Sequence, residues 1–157
     1  MEHLVYCDRK AKVLENLIKG KKTMIIRGAA ARKLPYGRVF PKEKLYFVEN
    51  DGSKLIKAEG FVKDIINSEI LTSEESIAML DKFKLELNLS KEQLKRWSGK
   101  KRLCLISVEN VRALDNPLQY EREKNMDDWI IVESINDILI GSEKEYKNIR
   151  YNDPSKE

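Results

Sequence analysis

Leu17-Ile18-Lys19-Gly20-Lys21-Lys22-Thr23-Met24-Ile25-Ile26-Arg27 decides how the chain is read. Upstream, Val13, Leu14, Leu17 and Ile18 recur at helical spacing, and Gly20 suits the left-handed position that ends a helix. Downstream, Thr23 to Ile26 have the β-branched and apolar content of a strand. The unit is therefore helix, glycine, strand. That order separates Lys21-Lys22-Thr23 from a phosphate-binding loop, which needs an upstream glycine at fixed spacing and lies between a strand and a following helix.

Working outward, His3-Leu4-Val5-Tyr6-Cys7 reads as an opening strand, and Asp8 as the N-cap of a helix running to about Lys19. After Arg27 come a small-residue turn, Gly28-Ala29-Ala30-Ala31, and a loop marked by Pro35 and Gly37. Segments 44–48 and 55–62 flank Asn50-Asp51-Gly52-Ser53, a strong hairpin signal, and Gly60 inside the second strand predicts a bulge or bend. Two capping boxes, Thr72 with Glu75 and Ser90 with Gln93, predict helices over 73–88 and 91–98. Leu103 to Val108 is apolar on both faces, as a central strand is, and continues towards Val111; Trp129 to Val132 is a further strand. The fold class is α+β, with about five to seven strands and a helical insertion, in one domain over 1–140. Residues 141–157 carry little to bury and read as a loosely held tail.

The 157 residues carry a net charge of +4 that is unevenly placed. Residues 1–44 hold 12 basic and four acidic side chains, whereas 45–157 hold 18 basic and 22 acidic. Segregation of this kind draws a polyanion to the first third of the chain, which solubility alone does not require. No apolar run approaches the roughly 20 residues that span a bilayer, and Met1-Glu2-His3 starts no signal pattern, so a cytoplasmic protein without membrane contact is expected. Two cysteines, Cys7 and Cys104, and one histidine, His3, supply no zinc site of the usual kind; the cysteines read as buried thiols, and neither metal nor cofactor is expected. Asp127-Asp128 reads as a solvated turn. A Ser/His or Cys/His engine would have to use His3, at what the sequence suggests is a frayed end.

The segment from Leu17 to Arg27 resembles the ASCH domains of the PUA-like superfamily, in which a helix ends in Gly-x-Lys-Thr and a strand ends in Arg. The order of hairpin, helical insertion and long apolar strand agrees over roughly residues 3 to 135. The resemblance implies a small mixed β-barrel, a cleft flanked by helices, and RNA or a nucleoside as ligand. On that reading Gly20, Lys21, Lys22, Thr23, Arg27, Arg32, Lys33, Tyr36 and Arg38 form the candidate nucleic-acid-binding set. Lysine supplies an ammonium, arginine a planar fork, and Tyr36 a stacking face. The alternatives are an ion pair closing the barrel for Arg27 and packing beside Pro35 for Tyr36. Trp129 is assigned to the core, and Trp97 either to helix packing or to the roof of the cleft.

Some ASCH proteins resemble hydrolases of acylated nucleosides that use the motif's lysine, a hydroxyl two positions past its threonine, and a later glutamate. Lys22 matches the lysine, but the hydroxyl position holds Ile25. Thr23, next to Lys22 in a strand, points the other way. The leading expectation is accordingly an RNA- or modified-nucleotide-binding module. The alternatives are a metal-independent nucleoside hydrolase or ribonuclease with Lys22 as catalytic residue, and a domain that binds an acidic protein partner.

Overall fold

The computed structural model describes residues 1–121 and 128–140. Gly20 adopts φ +76°, and around it Gly20 N–H bonds to the Leu17 carbonyl (3.2 Å) and Lys21 N–H to that of Asn16 (2.9 Å). This is the paired C-terminal closure that glycine makes possible. The helix it closes, α1 (Val13–Ile18), is shorter than the sequence suggests. Asp8 does not cap it: its carboxylate accepts from Lys10 and Ala11 N–H, forming a separate turn. A short acidic side chain competes for nearby amides in this way, and Lys12, at φ 55°, then redirects the chain into α1.

The strands are β1 (Glu2–Cys7), β2 (Met24–Ala29), β3 (Lys44–Glu49), β4 (Leu55–Asn67), β5 (Arg102–Gln119) and β6 (Trp129–Val132). They form one mixed sheet in the order β2-β5-β4-β3-β1-β6, parallel only between β1 and β3. Register shifts between Phe47 and Val48 and at three places along the β4/β5 pair accompany its curl into a half-barrel. Gly60 sits at one of them, between Glu59 and Phe61. A Cβ there would lie 3.0 Å from Val111 Cγ2 and 3.2 Å from Phe47 Cε2, so the close approach of the strands requires glycine. Strands β4 and β5 outrun their expected ends, because each supplies the other's backbone partners through residues too polar to announce a strand.

Both capping boxes form, opening α2 (Ser73–Lys82) and α4 (Lys91–Trp97). The single helix expected over 73–88 breaks at Phe83 into α2 and a short α3 (Lys84–Leu87), which ends at Asn88 in a left-handed conformation. The insertion packs Leu80, Leu87 and Trp97 on Met24, Ile26, Leu103 and Leu105, while Ile25 and Ile106 face the other core with α1, Phe47 and Trp129. β2 is thus covered on both sides, which explains its unbroken apolar run.

Cys7 and Cys104 are free, buried thiols as expected, and burial pushes each up to about 12. His3 is not frayed; it is fully buried in β1. Trp129 Nε1–H donates to its Nδ1 (3.0 Å), which leaves Nε2–H to donate to Glu43 Oε1 (2.8 Å). Burial holds the imidazole below its ordinary pKa, against the pull of Glu43. Below about pH 6.5 the unfolded chain takes up a proton at this site that the folded chain resists, so stability falls as pH drops from about 6.5. Urea midpoints are expected to decline between pH 7.5 and 5, with a shallower decline in His3→Gln. Equal slopes in the two proteins would discount the histidine.

Candidate functional site

Where β1 ends, the turn after it, β2, the tip of the β3–β4 hairpin and α4 surround a cavity of about 1070 Å³. Among the described residues six cations line it: Arg9, Lys10 and Lys12 from the turn, Lys22 from the connection between α1 and β2, Arg27 from β2, and Arg96 from α4. Three acids line it too, and each is engaged. Asp8 bonds backbone amides of its own turn. Asp51 accepts from Lys57 Nζ (2.9 Å), and the hydrogen bonds from Ser53 and Lys57 hold its carboxyl well below the usual carboxylate range. Asp128 Oδ2 lies 3.2 Å from Arg27 Nε. Among the described residues, Arg9, Lys10, Lys12, Lys22 and Arg96 have no acidic partner. The cavity is therefore electropositive.

Lys22 is the buried member, 3% exposed, placed by the glycine closure of α1 just before β2. Its Nζ donates to the Leu87 carbonyl at the end of α3, which would otherwise lack a helical partner. Burial, with the positive charge of Arg27 adding to it, lowers its pKa to about 8. At neutral pH the ammonium is charged yet close to titrating. Ile25, also lining the cavity, puts an apolar side chain there and offers no hydroxyl beside Lys22.

Arg27 makes the ion pair expected of it and also lines the cavity. Nη2 donates to the Tyr6 carbonyl (2.6 Å) and Nη1 to its neighbour Ile26 (2.9 Å), and the guanidinium lies 5.6 Å from the Trp129 ring. Nε is buried beside Asp128 without hydrogen-bond geometry to it, so that contact is an ion pair only. The residue ties β1 and β2 to the start of β6 while lining the cavity. Thr23 turns outward as expected, its backbone stitched to Glu86 and Val108. Gly20 acts through its backbone alone. Lys21 faces a separate groove beside Ile77 and Leu85.

On the loop after β2, Tyr36 is half-buried against the core and its hydroxyl donates to the Ser68 carbonyl. The Arg32 and Arg102 guanidiniums lie 5.9 and 5.6 Å from its ring centre. Lys33 and Tyr36 line a second, smaller space; Arg32 and Arg38 line neither space, and Arg38 is exposed. Trp97 takes the packing role expected of it on the β2 side of the core, also lines the cavity, and is covered by Arg96 at 4.4 Å.

Sequence reasoning left Arg9, Lys10, Lys12, Arg96 and Arg102 out of the site. The first three belong to the charge asymmetry, but their stretch of sequence reads as the start of a helix. The other two come from elements some 70 residues downstream of Lys22 and Arg27, and nothing local marks them. Asp127 lies outside the described residues, as does 141–157. Among the described residues no three His, Cys, Asp or Glu side chains converge to hold a metal, and no helix is long and apolar enough to cross a membrane.

No protein-family model and no curated protein matches the chain. Solved structures do. The ASCH protein of Zymomonas mobilis superposes with a TM-score of 0.60 at 11% identity, covering 96% of this chain and 94% of that one. A tyrosine-to-phenylalanine variant of it gives 0.61 at 12% identity over 96% and 97% of the two chains. A serine-to-alanine variant gives 0.63 at 12% identity over 92% and 94%. At such identity the likeness is one of fold, and it runs nearly end to end: the six-stranded half-barrel with its helical insertion shares the fold of the Zymomonas mobilis ASCH protein.

Proposed function

We propose that the chain binds RNA or a single nucleotide in the electropositive cavity, with Lys22, Arg27, Arg9 and Lys12 facing the phosphates and polar edges. The observation that carries this reading is the charge balance of the cavity: among the described residues its acids are already engaged, whereas most of its cations have no acidic partner. A concave basic surface in that state favours an anionic ligand. The ASCH-type fold supports the same ligand class.

The test is fluorescence anisotropy with a labelled single-stranded RNA across a salt series. Affinity is expected to fall linearly on a log–log plot, and Arg9→Ser with Lys12→Ser to flatten the slope by about 1.4, the contribution of two phosphate contacts on a single strand. Lys63→Ser with Lys82→Ser, exposed cations that do not line the cavity, should change it little. Equal losses from the two pairs would reject a localised site.

One observation favours a second reading, a hydrolase directed at nucleosides or RNA. A buried lysine with a pKa near 8 is partly available as a base or nucleophile at mildly alkaline pH. Incubation with acylated cytidine and with structured RNA, using Lys22→Ala as control, decides it. Turnover lost with Lys22 would establish the enzyme, and its absence would leave binding alone.

A further inference from the structure

A niche of about 40 Å³ lies beside the large cavity, and Arg27, Arg96, Trp97 and Asp128 line both, so the two spaces adjoin across these four side chains. The niche is too small for a base or a sugar. It exceeds the roughly 10–15 Å³ that one water needs, and suits a compact anion. Among the described residues its walls bring Lys33, Arg96 and Arg102 to the niche in addition to Arg27, against one carboxylate, Asp128, which Arg27 already engages. Among the described residues none of Lys33, Arg96 and Arg102 has an acidic partner.

The niche is also held in shape. Gly28 packs so closely on β5 that a Cβ there would lie 2.9 Å from Leu103 Cδ2 and 3.0 Å from the Arg102 carbonyl, which sets the backbones of β2 and β5 side by side at its floor. Arg102 is steadied against the Tyr36 ring, itself anchored through its hydroxyl to Ser68, and the Arg96 guanidinium lies over the Trp97 ring, 4.4 Å from its centre. Two guanidinium forks braced on aromatic rings are pre-organised for bidentate contact with phosphate oxygens.

We infer that this niche receives a phosphate group whose nucleoside lies in the large cavity, so that the ligand is a phosphorylated nucleotide and not a free nucleoside. The inference rests on the nucleotide reading of the large cavity. The phosphate has two sources, a terminal monophosphate or the internucleotide link of a strand.

The test is calorimetric titration of the full chain with the four ribonucleosides, their 3′- and 5′-monophosphates, and the corresponding dinucleotides. A phosphorylated form is expected to bind at least about tenfold more tightly than its nucleoside, in keeping with a charge-assisted contact. Arg102→Ser and, independently, the exposed Lys33→Ser should remove most of that advantage while leaving nucleoside affinity unchanged, which separates loss of the niche from loss of the fold. An advantage seen with monophosphates identifies a terminal phosphate; one confined to dinucleotides identifies the internucleotide link. Equal binding of nucleosides and phosphorylated forms, or an advantage that survives both substitutions, overturns the inference and leaves the cavity reading in place. Failure of every ligand to bind overturns that reading and the inference with it.

Discussion

Lys22→Met should weaken RNA or nucleotide binding about 10- to 100-fold at pH 7, with a melting temperature at or above that of the unsubstituted protein. The affinity loss follows from removing a charged donor in a sheltered cavity, where such a contact contributes about 1.5–3 kcal/mol. The stability expectation follows from the cost of the native residue. Holding an ammonium where its pKa drops from 10.5 to about 8 works against folding by roughly 3 kcal/mol at neutral pH. Methionine removes that cost and the bond to the Leu87 carbonyl together. Since the unfolded chain keeps the proton longer than the folded one, stability should rise as pH climbs from about 8 to about 10.5, and Lys22→Met should lack that rise. Affinity runs the other way: between pH 7 and 9 the charged fraction of a group titrating at about 8 falls roughly tenfold, and binding with it. Anisotropy and thermal melts over that pH range check both. Unchanged affinity in Lys22→Met would remove the lysine from the site.

Trp129→Ala should cost about 3–5 kcal/mol, the usual price of emptying a large, fully buried aromatic site. Trp129→Phe keeps most of the volume but deletes the indole N–H that His3 Nδ1 accepts, and should cost about 1–3 kcal/mol for the buried nitrogen left without its donor. The same ring faces the Arg27 guanidinium, so both variants should also loosen ligand binding where the fold survives. Urea unfolding gives the energies. If Trp129→Phe proved neutral in a protein that still folds, the Trp129–His3–Glu43 chain would be incidental to stability.

Most of the architecture could be read from local pattern. Gly20 announced the end of α1, Thr72 and Ser90 announced their helices, and Asp51-Gly52 and Gly60 announced a hairpin and a bulge; each of these is a statement about backbone geometry made by a few neighbouring residues. Local pattern failed where competing local bonds or distant partners decided the outcome. Asp8 took up amides in its own turn and α1 began five residues later. Phe83 interrupted a helix whose spacing showed no break, and β5 ran on to Gln119 because β4 lay beside it.

The candidate site divides along the same line. By itself the sequence determined a helix–glycine–strand unit carrying Lys22 and Arg27, and an excess of positive charge in the first 44 residues, because turn geometry and charge are properties of adjacent side chains. Only the tertiary structure decided that Lys22 is buried against Leu87, that Lys21 faces another groove, and that Arg96 and Arg102 arrive from the insertion and β5. Burial and convergence are set by which elements pack together. That choice follows from apolar surface shared across the whole chain, which no short stretch of residues contains.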